Sequence, residues 1–245
     1  MLEEYTSLFF VILPVVAFLY ASVGHGGASG YLALMALFSF PTETMKPTAL
    51  LLNLFVAGVS FYHYYKEGHF HKKLFLSFSI ASIPMAFLGG TMSIPTSLYK
   101  KILAGLLIFA ILKMLNVFGK ESNANKDFKV GLGIVAGAVI GFFSGLIGIG
   151  GGIILTPIIL LMSWGNMKQA AGVSALFIWV NSLAGLLGQL SSGVQLHKES
   201  FWLVVVALFG GFLGSYYGSK KLNNQVLRYV LAFVLLIACV KLVLT

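Results

Sequence analysis

Two clusters of glycine carry the residues best suited to chemistry. The first runs Gly24-His25-Gly26-Gly27-Ala28-Ser29-Gly30 and the second Gly145-Leu146-Ile147-Gly148-Ile149-Gly150-Gly151-Gly152. Glycine at this density breaks or bends a helix. The N–H groups that open the helix after such a break, with the positive end of its dipole, can hold an anion, and the absence of side chains lets the ligand approach the backbone. Gly24, His25, Gly26, Gly27, Ala28 and Ser29 are therefore candidate binding residues, and so are Gly148, Gly150, Gly151 and Gly152. The plainer role for the same glycines is close helix packing. His25 faces Ile149 at the equivalent point of the second cluster, so the two half-sites are expected to be chemically unequal. Its imidazole could donate to an oxyanion, carry a coupling proton, or simply bond a carbonyl.

Few other polar groups lie within apolar sequence, where they are expensive and mark function by default. Asn53, Ser174, Asn181 and Ser182 lie at broadly corresponding depths and offer neutral donors to an oxyanion with several acceptor oxygens, or else bond between helices. Gln189 and Gln195 are expected to face an entrance. Thr156 and Pro157 follow the second cluster by one turn, where proline can keep the helix distorted. His63, His69, His71 and His197 have no metal-ligand spacing. Neither a nucleophile elbow nor a phosphate-binding lysine loop occurs, so no enzyme, cofactor or metal site is expected.

The elements that must position these groups are membrane helices. The chain has 245 residues, of which 58% are hydrophobic and 9% charged, with a mean hydropathy of +0.94. Soluble domains carry roughly 25% charged residues. Apolar runs cover about 7 to 40, 48 to 65, 74 to 92, 98 to 118, 130 to 163, 170 to 192, 200 to 217 and 225 to 244. Six have single-span length, whereas the first and fifth would each form a rod of roughly 50 Å, too long for one crossing. Both contain a glycine cluster. The net charge of +9 comes from Lys and Arg between the runs rather than on one basic face, which argues against a nucleic-acid partner. The one cysteine, Cys239, allows neither an intrachain disulfide nor a thiolate cluster. With Glu3 and Glu4 and no basic residue before the first run, a cleaved signal peptide is not expected.

The two long runs open an internal repeat. Gly24, Gly26 and Gly27 align with Gly148, Gly150 and Gly151 at one offset; Gly89-Gly90 answers to Gly210-Gly211. Lys100, Ala104, Ala110 and Lys113 answer to Arg228, Ala232, Ala238 and Lys241. Residues 1–118 and 130–245 are read as homologous units joined by a cytoplasmic linker, 119–129. If each long run returns to its starting side, one face holds Lys66, Lys72, Lys73, Lys113, Lys120, Lys126, Lys129, Lys168, Lys220, Lys221 and Arg228. The other holds Lys46, Lys100, Lys101, Lys198 and Lys241. If each run crosses once, that bias nearly vanishes, so the positive-inside rule favours return. The expectation is an all-α integral membrane protein with about 8 to 10 membrane segments, each half opening with a glycine-interrupted re-entrant or broken helix pair. An odd number of crossings per half makes the repeats inverted and leaves both termini extracytoplasmic.

The half-repeats with Ser22-Val23-Gly24-His25-Gly26-Gly27-Ala28-Ser29-Gly30 and Ser144-Gly145-Leu146-Ile147-Gly148-Ile149-Gly150-Gly151-Gly152 resemble those of the sulfite exporter TauE/SafE family, over essentially the whole chain. The resemblance implies export or uptake of sulfite, a sulfonate or a related small anion across the cell membrane. It leaves cargo and direction open. A secondary carrier, driven by a gradient of substrate, proton or other ion and rocking one repeat against the other, is the first reading. A passive anion channel on the same scaffold is the second. An intramembrane enzyme or assembly factor would need clustered ionisable groups at depth, and His25 alone is available. The lipid bilayer is a partner on any of these readings, and a homo-oligomer is compatible with all of them.

Overall fold

The computed structural model describes residues 7–114 and 128–220, together with 236, 239 and 240. Most of the linker 119–129 lies outside the described residues. So do most of the last apolar run, including Arg228, Ala232, Ala238 and Lys241, and the side chain of Lys113. Nine helices and no strand are found among the described residues: α1 (Ser7–Ala21), α2 (Ala28–Leu37), α3 (Thr42–Lys66), α4 (Lys72–Thr91), α5 (Thr96–Met114), α6 (Val130–Ile147), α7 (Gly152–Leu161), α8 (Met167–Ser191) and α9 (Glu199–Lys220). Five of them, α3, α4, α6, α8 and α9, are long and apolar enough to cross a membrane.

Helices α2 and α7 have 10 residues each, roughly 15 Å at 1.5 Å per residue and half the thickness of the hydrocarbon. Each begins beside a left-handed glycine, Gly27 at φ 102° and Gly151 at φ 79°. A side chain at either position would be strained by its own backbone.

Within lipid the hydrophobic effect does not drive helices together, so close backbone approach must. Helix α6 presents Gly137, Gly141 and Gly145 to the carbonyls of Phe78, Ser82 and Ala86 on α4. Helix α9 presents Gly210, Gly214 and Gly218 to the carbonyls of Pro14 and Phe18 on α1 and of Ser22 just beyond it. Small residues every fourth position put one helix face against the partner backbone. In both pairs the numbers rise together, so α4 runs parallel to α6 and α1 to α9.

These pairs fix the ends of the bundle. The head of α3, the tails of α4 and α8 and the loop before α9 share one end, where Thr42, Lys46, Gly90, Gln189 and His197 line one cavity. At the other end lie the tails of α3 and α9 and the heads of α4 and α8. There Lys168 Nζ donates to the Ser219 carbonyl at 3.1 Å and Lys220 approaches Glu67 at 4.0 Å. Helices α3 and α8, each of 25 residues, therefore run antiparallel. The segment α1–α2 starts at the cavity end and returns there. The segment α6–α7 starts and returns at the other end, where Trp164 stacks edge-on against Phe128 at 4.8 Å.

One packed core surrounds Phe9, Leu13, Tyr31 and Leu50. A second surrounds Phe78, Ile140, Leu155 and Phe177. The polar groups between them form the site.

Candidate functional site

Where α1 ends, the chain first tightens into turns rather than opening. The Ser22 N–H donates to the Phe18 carbonyl at 2.9 Å and the His25 N–H to the Tyr20 carbonyl at 2.9 Å. After them, the N–H groups of Gly26 and Gly27 form no hydrogen bond among the described residues, and neither do those of Gly150 and Gly151 in the second turn. Unpaired backbone donors at this depth are tolerated only where protein or a wet cavity surrounds them.

Both turns meet one side chain from α3. A Cβ on Gly26 would strike Asn53 Oδ1, and one on Gly150 would strike Asn53 Nδ2. Asn53 is fully buried; its Oδ1 accepts from the Ala28 N–H at 3.0 Å and its Nδ2 donates to Ser182 Oγ at 3.2 Å. One carboxamide thus caps α2 and ties it to α8. The Ala28 N–H is consequently already bound, unlike the open donor its place at the head of α2 suggested. Ile178 on α8 fills the same gap from the opposite side, against Gly26, Gly150 and Gly152.

A second polar chain runs beside the first. His25 Nε2 and Thr156 Oγ1 are 2.9 Å apart, and Thr156 Oγ1 lies 2.8 Å from Ser174 Oγ. The carbon Cδ2 of the His25 ring approaches Gly152, 3.3 Å from where a Cβ would stand. The imidazole of the first turn therefore reaches across to α7 and α8, in the other half of the chain.

The structure brings His25, Gly26, Ala28, Asn53, Gly150, Gly152 and Ser174 together, with Ser182 and Thr156 completing the cluster. The remaining candidates do other things. Gly24 packs on Ala171, Gly27 on the Tyr31 ring and Gly151 on Ile140 and Phe177. Ser29 donates to the Tyr20 hydroxyl at 3.0 Å. Asn181 turns back on its own helix, donating to the Phe177 carbonyl at 2.8 Å, so it is not joined to Asn53. Gly148 abuts Lys46, whose Cα would lie 3.2 Å from an added Cβ.

Lys46 and Tyr99 belong to a cavity of about 500 Å³ at the end of the bundle, lined by the heads of α3 and α5 and the tail of α8. Gln189 and Gln195 both line it, in keeping with the entrance expected of them, although Gln189 is buried. The Tyr99 hydroxyl donates to the Ile147 carbonyl at 3.2 Å, one residue before Gly148. The cavity thus borders the second turn.

The opposite end is cross-linked by hydrogen bonds and close contacts. The Tyr64 hydroxyl donates to the Ser22 carbonyl at 2.8 Å, His63 Nδ1 pairs with Ser215 Oγ at 2.8 Å, and Gly172 abuts the His69 carbonyl. Burial, followed by the nearby Lys168 charge, pushes the His69 imidazole below its ordinary 6.5, which disfavours its charged form there.

Sequence reasoning missed two neighbours of the site and placed a third without giving it a binding role. Thr156 lies one turn into α7, where the sequence puts it; Ile178 looks like ordinary core; Lys46 falls in a short polar stretch that reads as loop but forms the first turns of α3.

The sequence profile described as Sulfite exporter TauE/SafE matches residues 8–242. The "Probable membrane transporter protein y4hK" of Sinorhizobium fredii (strain NBRC 101917 / NGR234) is 35% identical over 232 residues, covering 93% of this chain and 94% of the relative. The "Probable membrane transporter protein YdhB" of Bacillus subtilis (strain 168) is 25% identical, covering 88% and 90%. A similar protein of Methanocaldococcus jannaschii, "Probable membrane transporter protein MJ0441", is 24% identical over 77% of this chain and 74% of its own. No solved structure matches the chain.

Proposed function

The chain belongs to the sulfite exporter TauE/SafE family of membrane transporters, and from that premise we propose that it is a secondary carrier of a small anion such as sulfite or an organosulfonate. The anion binds where the two glycine turns meet, at mid-depth, and access alternates between the two faces. The observation that carries this reading is the contact of Gly26 and Gly150, from opposite halves, with the single carboxamide of Asn53. The two turns carry four backbone N–H groups without partners among the described residues, at Gly26, Gly27, Gly150 and Gly151, and polarised N–H groups are what an oxyanion needs in place of water.

Residues 1–118 and 130–245 act as inverted repeats joined by a cytoplasmic linker, 119–129. The antiparallel course of α3 and α8 and the opposite entry of α1–α2 and α6–α7 support this. The lysine-rich end faces the cytoplasm and both termini lie outside. A cavity at one end that borders the second turn supports a carrier facing outward.

The test is thermal stabilisation of the purified protein by sulfite, sulfate, thiosulfate, sulfonates and carboxylates. Ligand at a hundred times its Kd stabilises by about 2.7 kcal/mol, which raises the melting temperature measurably. A melting curve unmoved by every anion in the panel would remove the reading.

His25 is the group through which a proton couples to the anion, by way of Thr156 and Ser174. His25→Ala is expected to flatten the dependence of transport on pH. Thr156→Val should reproduce part of the effect, because it cuts the chain after the imidazole. Superimposable pH profiles for wild type and His25→Ala would exclude the proton role.

A further inference from the structure

We propose that the cavity at the heads of α3 and α5 is a receiving site for a small oxyanion, centred on Lys46 and separate from the glycine turns. The inference rests on the carrier reading and deepens it, by naming where the anion waits before it reaches the turns.

The Lys46 side chain is half-buried, with Nζ 5.2 Å from the centre of the Tyr99 ring. It forms no ion pair among the described residues. A partly desolvated ammonium without a countercharge favours an anion beside it. The cavity is also lined by the first turns of two helices, through Thr42 on α3 and Thr96 on α5. First-turn N–H groups lack partners within their own helix and carry the positive dipole end. The N-cap of α3, Pro41, makes no side-chain cap bond.

An independent observation points to a ligand. Gln189 lines the cavity and is 3% exposed, yet neither Nε2 nor Oε1 has a hydrogen-bond partner among the described residues. Buried amides are almost always satisfied. Lys46, two helix heads and the Gln189 amide all border this one cavity, and donors of several kinds suit an anion with several oxygens better than a halide. Glu43 and His197 also line the cavity; both are exposed and stand at its mouth, where water screens them. At its inner wall, Tyr99 bonds the carbonyl next to Gly148, so an anion held there adjoins the second turn.

The test uses the full-length protein and sulfite, read by thermal stabilisation and by counterflow in liposomes. Lys46→Met should raise both the half-saturating sulfite concentration and the KM of counterflow by about tenfold, the loss of one charge-assisted bond. Lys46→Arg should stay within about twofold, and Gln189→Leu should show a several-fold loss with the saturating rate little changed. Wild-type values in Lys46→Met and Gln189→Leu, with wild-type counterflow intact, would overturn the receiving site and leave the carrier reading standing. Stabilisation by sulfite that depends on Lys46, in a protein that shows no counterflow, would uphold the site and remove the carrier. Chloride stabilising as strongly as sulfite at equal ionic strength would overturn the oxyanion class.

Discussion

Asn53→Asp is expected to lower sulfite counterflow by about a hundredfold while the protein remains folded. The carboxylate keeps an acceptor for the Ala28 N–H that Asn53 now binds at 3.0 Å, so the head of α2 stays capped. It removes the donor to Ser182 and sets negative charge between Gly26 and Gly150, where the anion must pass. Repulsion in a low-dielectric site easily exceeds the roughly 2.7 kcal/mol that a hundredfold loss represents. Asn53→Leu should also abolish transport, but by another route. It leaves a buried N–H without an acceptor at about 1–3 kcal/mol and should lower the melting temperature as well. If Asn53→Asp transports at the wild-type rate, Asn53 is a helix cap and nothing more.

The second large effect is structural. Gly141→Val is expected to yield no folded protein, with a loss of more than about 4 kcal/mol. A Cβ at Gly141 would run into the Ser82 carbonyl of α4, and backbone cannot swing aside as a side chain can. The two helices would have to separate along a stripe that also holds Gly137 and Gly145. Gly214→Val should fail in the same way against the Phe18 carbonyl of α1. Gly105→Ala and Gly131→Ala, where nothing lies within 4 Å of the added carbon, should elute and melt like the wild type. Size-exclusion profiles of the detergent-extracted variants decide it; a monodisperse Gly141→Val would mean that α4 and α6 are held by something else.

The contrast between these two predictions reflects what the sequence could and could not express. The glycine clusters at 24–30 and 145–152 were legible because their composition departs so far from that of the runs around them. Asn53 was legible as a rare amide in an apolar stretch. The carboxamide's position between both turns was not, since it depends on α3 crossing two segments more than 90 residues apart in sequence. The course of the Asn181 amide was hidden for the same reason: sequence gives its depth, but not that its Nδ2 donates to the Phe177 carbonyl of its own helix.

The stripes Gly137-Gly141-Gly145 and Gly210-Gly214-Gly218 stand at plain four-residue spacing, yet Gly145 reads as part of the second cluster and Gly210-Gly211 as part of the repeat. Reading them as contact faces would have paired α6 with another helix. It would not have said that the other helix was α4. Lys46 escaped because the stretch around Pro41 and Pro47 reads as a loop, whereas the chain begins α3 at Thr42 and carries the lysine inward on its first turns.

The most direct measurement is counterflow of labelled sulfite into liposomes holding the purified wild-type protein. Alternating access around one mid-depth site predicts that unlabelled sulfite loaded inside accelerates uptake of the label above its equilibrium level before it decays. Uptake that never exceeds simple equilibration, at the same rate with or without internal sulfite, would contradict it.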